Sequence, residues 1–304
     1  MAEVLRIRRL EAPTRRVRMV LDTDTYNEID DQFAVVHALR SPDRVSVEAL
    51  YAAPFFNERS TGPGDGMQKS YDEIHRLLGL MNCAGSVPVM RGATSYLAPD
   101  LVPVETEVTR DLIARAMQGP ADDPLYVVAI GAITNIASAM LIEPRVIEKI
   151  VVVWLGGHAF HCRDTREFNL VQDIPAARVV FDSGVPLVML PCCGVVDMLQ
   201  TTNHELRALL GGRNALADYL IGIVEQHDPQ RRQVWSKVIW DVAATGWVIK
   251  PESIATVLTH SPILTDQCTW SFDTERHLIR VAKYIHRDRL LRDVFEKVGE
   301  CSLT

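Results

Sequence analysis

Short apolar bursts that alternate with stretches of helical periodicity limit this chain's fold more than any other feature of its sequence. The bursts Val17 to Leu21, Val45 to Tyr51, Leu125 to Ile130, Ile150 to Leu155 and Val185 to Leu190 are each bounded by Gly, Pro, Asn or Asp, which marks them as strands. Between them, helices are expected near Asp31 to Leu39, Gly66 to Leu78, Thr109 to Met117, Thr134 to Leu141 and Pro175 to Asp182. Strand and helix in strict alternation build parallel β-α-β units, so the expectation is an α/β fold: a mainly parallel central sheet flanked by helices. From Asn203 to Ile249 the pattern turns helical, and Thr256 to Val281 reads as short strands before a last charged helix, a set expected to form a small cap. No linker or internal repeat divides the chain, so one domain over 1–304 is expected, with 1–16 as a basic, solvated arm. The segment Ala53 to Asp65, rich in Pro, Gly and polar residues, is the best candidate for a functional loop.

Composition narrows the function. No apolar run approaches the ~18 residues of a membrane span. A net charge of -7, from 32 basic and 39 acidic residues, and no basic patch beyond residue 18 argue against nucleic acid as a partner. The six cysteines show no C-x-x-C spacing, which points to a reducing cytoplasm and no zinc site.

The first strand runs directly into acid. Asp22-Thr23-Asp24 follows Leu21, and Asp30-Asp31 stands at the start of the next helix, so four carboxylates share one strand end. Ligands of open α/β sheets bind at the carboxyl ends of strands, which makes this the expected site. Like charges so close repel at ~332/(ε·r) kcal/mol per pair, so a cation must neutralise them or some must stay protonated. Oxygen-only ligands favour calcium or magnesium over zinc. Helix capping accounts for one of these acids, but not for all four.

The tetrapeptide Asp22-Thr23-Asp24-Thr25 resembles the first motif of haloacid-dehalogenase-type phosphatases, in which Asp22 and Asp24 would act with magnesium. That family's later acidic motif has no counterpart, since the strand ending at Leu155 continues as Gly156-Gly157-His158. A second resemblance covers far more of the chain, about residues 17 to 250. Asp22-Thr23-Asp24 with Asp30-Asp31, Ile130 to Ala137, Leu155-Gly156-Gly157, Glu167-Phe168-Asn169 and Asp173 to Ala177 occur in the order seen in inosine-uridine-preferring nucleoside hydrolases. This resemblance implies one α/β domain, a bound Ca2+, hydrolysis of the N-glycosidic bond of a small-molecule ribonucleoside, and a homodimer or homotetramer. Position by position it implies Asp24 as metal-bound general base, Asp31 as metal ligand, Asp30 as the grip on ribose hydroxyls, and the Thr134 carbonyl as a further ligand. For the last ligand Asp228 and Asp241 compete. Asp241 is preferred because the pattern from Val242 to Glu252 fits the family, whereas Arg231-Arg232 follows Asp228. Glu167, Asn169 and Asn57 match sugar-binding positions, while Asp173, before Ile174-Pro175, is expected to cap a helix.

The sequence departs from the family in three places. Five residues, Thr25 to Ile29, separate Asp24 from Asp30 where three are usual. Trp240 precedes Asp241 where many members have His, which suits it to stack on a base rather than to protonate one. The segment Cys162 to Arg166 offers no Asn for the sugar 5'-hydroxyl, and His158, His161 and His227 are spare candidates for a leaving-group acid. A protein that keeps the pocket and binds nucleoside or ribose without turnover is the third reading.

Overall fold

The structure, a computed structural model, describes residues 1–120, 122–227 and 234–300. The five sequence-expected strands are present as β1 (Val17–Thr23), β2 (Val45–Ala52), β4 (Leu125–Ala129), β5 (Ile150–Leu155) and β6 (Leu187–Leu190), with a short β3 (Val89–Arg91) added at one edge. Two further strands, β9 (Ile254–His260) and β12 (Leu278–Ile285), complete an eight-stranded sheet of order β3-β2-β1-β4-β5-β6-β12-β9. Every neighbouring pair is parallel except β12 with β9. The remaining strands form two small antiparallel pairs, β7 (Gln200–Thr201) with β8 (Lys237–Val238) and β10 (Ile263–Leu264) with β11 (Trp270–Ser271).

Helices cover both faces, so a central strand must be apolar on both sides, as β1 is. Met19 and Leu21 enter one apolar layer with Phe33, Val36 and Trp247, and Val20 enters the other with Val127, Trp154 and Phe181. Helix α2 (Asp31–Leu39) begins where the sequence places it and is buried on nearly every side, because α10 (Val242–Ile249) and α11 (Arg287–Gly299) pack against it. The winding of the sheet reverses between β1 and β4, and the crevice at such a reversal lies beyond the carboxyl ends of those two strands. The remaining helices are α1 (Glu3–Arg9), α3 (Pro63–Leu80), α4 (Glu107–Gln118), α5 (Thr134–Ile142), α6 (Phe168–Gln172), α7 (Ile174–Asp182), α8 (Asn203–Leu210) and α9 (Ala215–His227). No helix among the described residues is long and apolar enough to cross a membrane.

Two expectations are corrected. The strands after Thr256 do not form a cap. Ile279, Val281, Ala282 and Ile285 of β12 are buried, and the strand extends the main sheet beside β6. Nor is the N-terminal basic segment a solvated arm. Residues Glu3–Arg9 form α1, whose Arg6 and Arg9 are buried. Arg6 Nε donates to the Gly184 carbonyl at 2.9 Å, and Arg9 donates to the Glu148 carbonyl. Each guanidinium thus ties the N-terminal helix to a backbone carbonyl far along the chain.

Candidate active site

Three of the four acids at the end of β1 meet Asp241, and the fourth, Asp22, does not join them. Asp30, Asp31 and Asp241 each bring a carboxylate oxygen within 4.8 Å of the others, and all three are buried. Asp24 is completely buried beside them, and its charge adds to theirs. Asp30 and Asp241 occupy the N-cap positions of α2 and α10, yet neither side chain caps its helix. Asp30 Oδ2 accepts from the Trp240 backbone N–H at 2.9 Å instead, which ties the two helix starts together. Capping therefore does not explain these acids. Asp228, the competing candidate for the last ligand, lies outside the described residues.

Hydrogen bonding leaves this cluster conspicuously short of partners. Thr23 Oγ1 donates to Asp31 Oδ1 at 2.5 Å, but Asp31 Oδ2 and both carboxylate oxygens of Asp24 are buried without any hydrogen-bond partner. A buried carboxylate with no donor is costly, and a hard cation satisfies it directly. Gly131, just beyond β4, allows the chain to approach the cluster closely: a Cβ there would sit 3.0 Å from the Asp24 carboxyl carbon. Without a cation, burial and then mutual repulsion raise the acids. Asp31 is pushed to about 8 by burial and by Asp30, and Asp30 to about 6 chiefly by burial, against the pull of Lys237. Burial and the charge of Asp31 raise Asp24 and Asp241 well above the carboxylate range. The donor set, all oxygen and anionic, fits a divalent hard ion.

Asp22 belongs to a different arrangement. Its two oxygens accept from Asn135 Nδ2 at 3.3 and 3.0 Å, and Asn135 Oδ1 in turn accepts from Ala93 N at 2.8 Å. Burial raises Asp22 to about 7, with Asn135 opposing. It supports the end of β1 from beneath.

A cavity of about 240 Å³ opens beside the acids, lined by Asn27, Glu28, Asp30, His158, Arg166, Glu167, Asn169, Trp240 and Asp241 among others. Glu167 and Asn169, singled out from the sequence, form its far wall and are already heavily bonded. Glu167 accepts from Gly157 N, Asn169 N and Leu170 N at 2.8 to 3.0 Å. Asn169 Nδ2 donates to the carbonyls of Ile130 and Leu155, leaving Oδ1 as its free acceptor. Trp240 is half-buried on the wall beside Asp241. Thr134 is buried at the first turn of α5, and its hydroxyl donates to Asp173 Oδ2 at 2.6 Å. Asp173 caps α7 through Ala176 N, as expected. Asn57 commits its amide to its own neighbourhood: Nδ2 donates to the Asn27 carbonyl at 3.1 Å and Oδ1 accepts from Arg59 N.

The lengthened turn between Asp24 and Asp30 is fastened at every residue. The Thr25 carbonyl accepts from Gln32, Arg59 stacks 4.3 Å over the Tyr26 ring, and Asn57 holds Asn27. The Glu28 carbonyl accepts from Arg59, its carboxylate pairs with buried Lys237, and Ile29 is in the core. Sequence reasoning missed Lys237 and Glu28. Lys237 reads as one more polar residue of an irregular segment, and only its burial four positions before Asp241 marks it out.

An open α/β sheet with a buried acid cluster at its winding reversal and a cavity of about 240 Å³ alongside has the architecture of a small-molecule enzyme of the α/β class. The family model described as inosine-uridine preferring nucleoside hydrolase matches residues 19–292, and the chain belongs to that family. Pyrimidine-specific ribonucleoside hydrolase RihA of Escherichia coli is 26% identical over 266 residues, which cover 79% of this chain and 81% of that protein. Among solved structures, a plant nucleoside hydrolase superimposes with a TM-score of 0.76 at 18% identity, covering 94% of this chain and 99% of its own. A purine-preferring ribonucleoside hydrolase from Gardnerella vaginalis gives 0.75 at 18% identity, covering 93% and 98%. Family membership sets aside the phosphatase reading, for which Asp22 is also badly placed, since both its oxygens are taken by Asn135.

Proposed function

We propose that this protein hydrolyses the N-glycosidic bond of ribonucleosides with the help of one calcium ion, releasing ribose and a free base. The observation that carries the reading is the set of three buried carboxylate oxygens on Asp24 and Asp31 that have no protein donor, beside a cavity walled by hydroxyl-binding groups. Asp24, Asp31 and Asp241 would hold the ion, with the Thr134 carbonyl completing the protein ligands. Calcium bound there supplies a lowered pKa to water and countercharge to the acids.

Asp24 takes the proton of the water that attacks the anomeric carbon. Asp30 and the free Oδ1 of Asn169 accept from ribose hydroxyls and hold the ring, while the Glu167 carboxylate adds negative charge on the opposite wall. Glycosidic cleavage passes through an oxocarbenium-like state, and buried carboxylates around it favour its positive charge. Trp240 offers an indole face to the base, worth ~1–3 kcal/mol by stacking. Asn57 serves through Asn27, by holding the turn that carries Asp30. The reading includes a cytoplasmic homodimer or homotetramer, which sedimentation of the purified protein measures. The five described cysteines, all free thiols, accord with a reducing compartment.

The test is release of reducing sugar from purine and pyrimidine ribonucleosides, both of which the relatives' names include, in calcium and after chelation. Hydrolysis in calcium that chelation abolishes is expected. Comparable turnover of adenosine and 2'-deoxyadenosine would remove the role of Asp30 as a grip on the sugar, and tight binding without product would leave a binding protein instead.

A further inference from the structure

The cavity has no imidazole beside Asp241, where Trp240 stands, but it has one on the opposite wall. His158 is the one histidine among the described residues that line it. Its placement is built rather than incidental. The backbone N–H donates to Thr165 Oγ1 at 2.9 Å, the carbonyl accepts from Trp270 Nε1 at 3.0 Å, and Nδ1 accepts from the Cys193 backbone N–H at 3.3 Å. The preceding Gly157 has φ +71°, and a Cβ there would lie 2.8 Å from Thr165 Oγ1, so only glycine turns the chain this way at no cost.

The Cys193 contact fixes the tautomer. With Nδ1 acting as acceptor, a neutral ring carries its proton on Nε2. Burial draws His158 below the ordinary histidine range, against the opposing charges of Asp164 and Asp197, which keeps the ring neutral at pH 7. Around the same cavity, Asp30 on the facing wall and Glu167 and Asn169 Oδ1 on the wall of His158 are acceptors, which suit the hydroxyls of a sugar. A purine or pyrimidine presents ring nitrogens and carbonyl oxygens instead, and these need a donor.

We infer that His158 is a catalytic residue whose Nε2–H donates a hydrogen bond to the departing base, in place of an acid beside Asp241. This rests on the hydrolase reading of the same cavity. As the C1'–N bond breaks, its electron pair goes to the base nitrogen. The water oxygen bonds to C1' and a water proton passes to Asp24. The base takes its own proton from solvent, while Nε2–H spreads the growing negative charge and keeps its proton. Such a donor, aimed at developing charge, is worth roughly a hundredfold in rate.

The experiment compares two kinds of substrate in the wild-type protein, His158→Phe and His158→Gln. The bases of inosine and uridine leave as poor anions and need a donor, whereas 4-nitrophenyl riboside expels a stable phenolate and does not. His158→Phe is expected to lose about a hundredfold in kcat on the nucleosides, far less on the nitrophenyl riboside, and His158→Gln to recover part of the loss. Equal losses on both substrates, or no loss on either, would overturn the inference, and the nitrophenyl rate also reports whether each variant is folded. A wild-type protein inert toward both would instead overturn the hydrolase reading, and this inference with it.

Discussion

The two walls of the cavity are built on opposite principles. On the β1 side, Asp24 and Asp31 keep three buried oxygens without a partner; on the β5 side, Glu167 accepts three backbone N–H groups and Asn169 gives both amide hydrogens to carbonyls. The first wall is incomplete until something positive joins it, and the second is complete as folded. Under the proposed function the incomplete wall would hold the ion and activate water, while the bonded wall would set the shape of the cavity and present His158.

The sharpest way to break this contrast is Asp24→Asn. It should cost about 10³-fold in kcat on a ribonucleoside, with the fold of the metal-free protein intact by circular dichroism. A loss under tenfold would mean that the β1 wall does not carry the chemistry. Next, chelation should lower the melting temperature and calcium should restore it, by ~2.7 kcal/mol when the free ion is a hundredfold above its Kd. Asp241→Asn should abolish that response.

Glu167→Gln probes the other wall. It replaces one acceptor by an amide donor facing a backbone N–H, so it should lower unfolding stability by about 1–3 kcal/mol while calcium still raises the melting temperature. If the calcium response vanished instead, the division between the walls would be wrong. Glu28→Gln cuts the half-exposed link to Lys237 and should cost about 1 kcal/mol or less; a charge exchange, Glu28→Lys with Lys237→Glu, should recover it if the pair acts only as a clamp on the turn.

The smallest effect concerns the helix that presents Asp31. His37 on α2 is buried between Thr245 and Asp293, and burial lowers its pKa. The unfolded chain takes up a proton near pH 6.5 and the folded chain resists it, so stability is complete above that value and declines as pH falls below it. His37→Gln should flatten this slope in denaturant titrations between neutral and mildly acidic pH.

Much of this was readable before any coordinates. The five strands and the start of α2 at Asp31 follow from local pattern, because hydrophobic periodicity and a run of acids are short-range signals, whereas the approach of Asp241 to Asp30 and Asp31 follows from family order alone. What was not readable depends on distant partners. Arg6 is buried because of a carbonyl 178 residues away, and Lys237 matters through Glu28, 209 residues away. Asn57, a loop asparagine in a family position, bonds within its own neighbourhood to the Asn27 carbonyl and to Arg59 N. Between β6 and β9, the place of β12 could not be read from an apolar pattern that a peripheral hairpin would share.

That place has a consequence for how the molecule is made. Among the described residues β9 pairs in the sheet with β12 alone, and α11, which follows β12, packs against α2. A ribosome therefore releases the acid-bearing first strand long before the residues that brace it exist. Shortening the chain from its C-terminal end before residue 285 should leave a collapsed, sticky intermediate rather than a smaller enzyme, and assembly should finish only when the last strand slides into the slot kept for it.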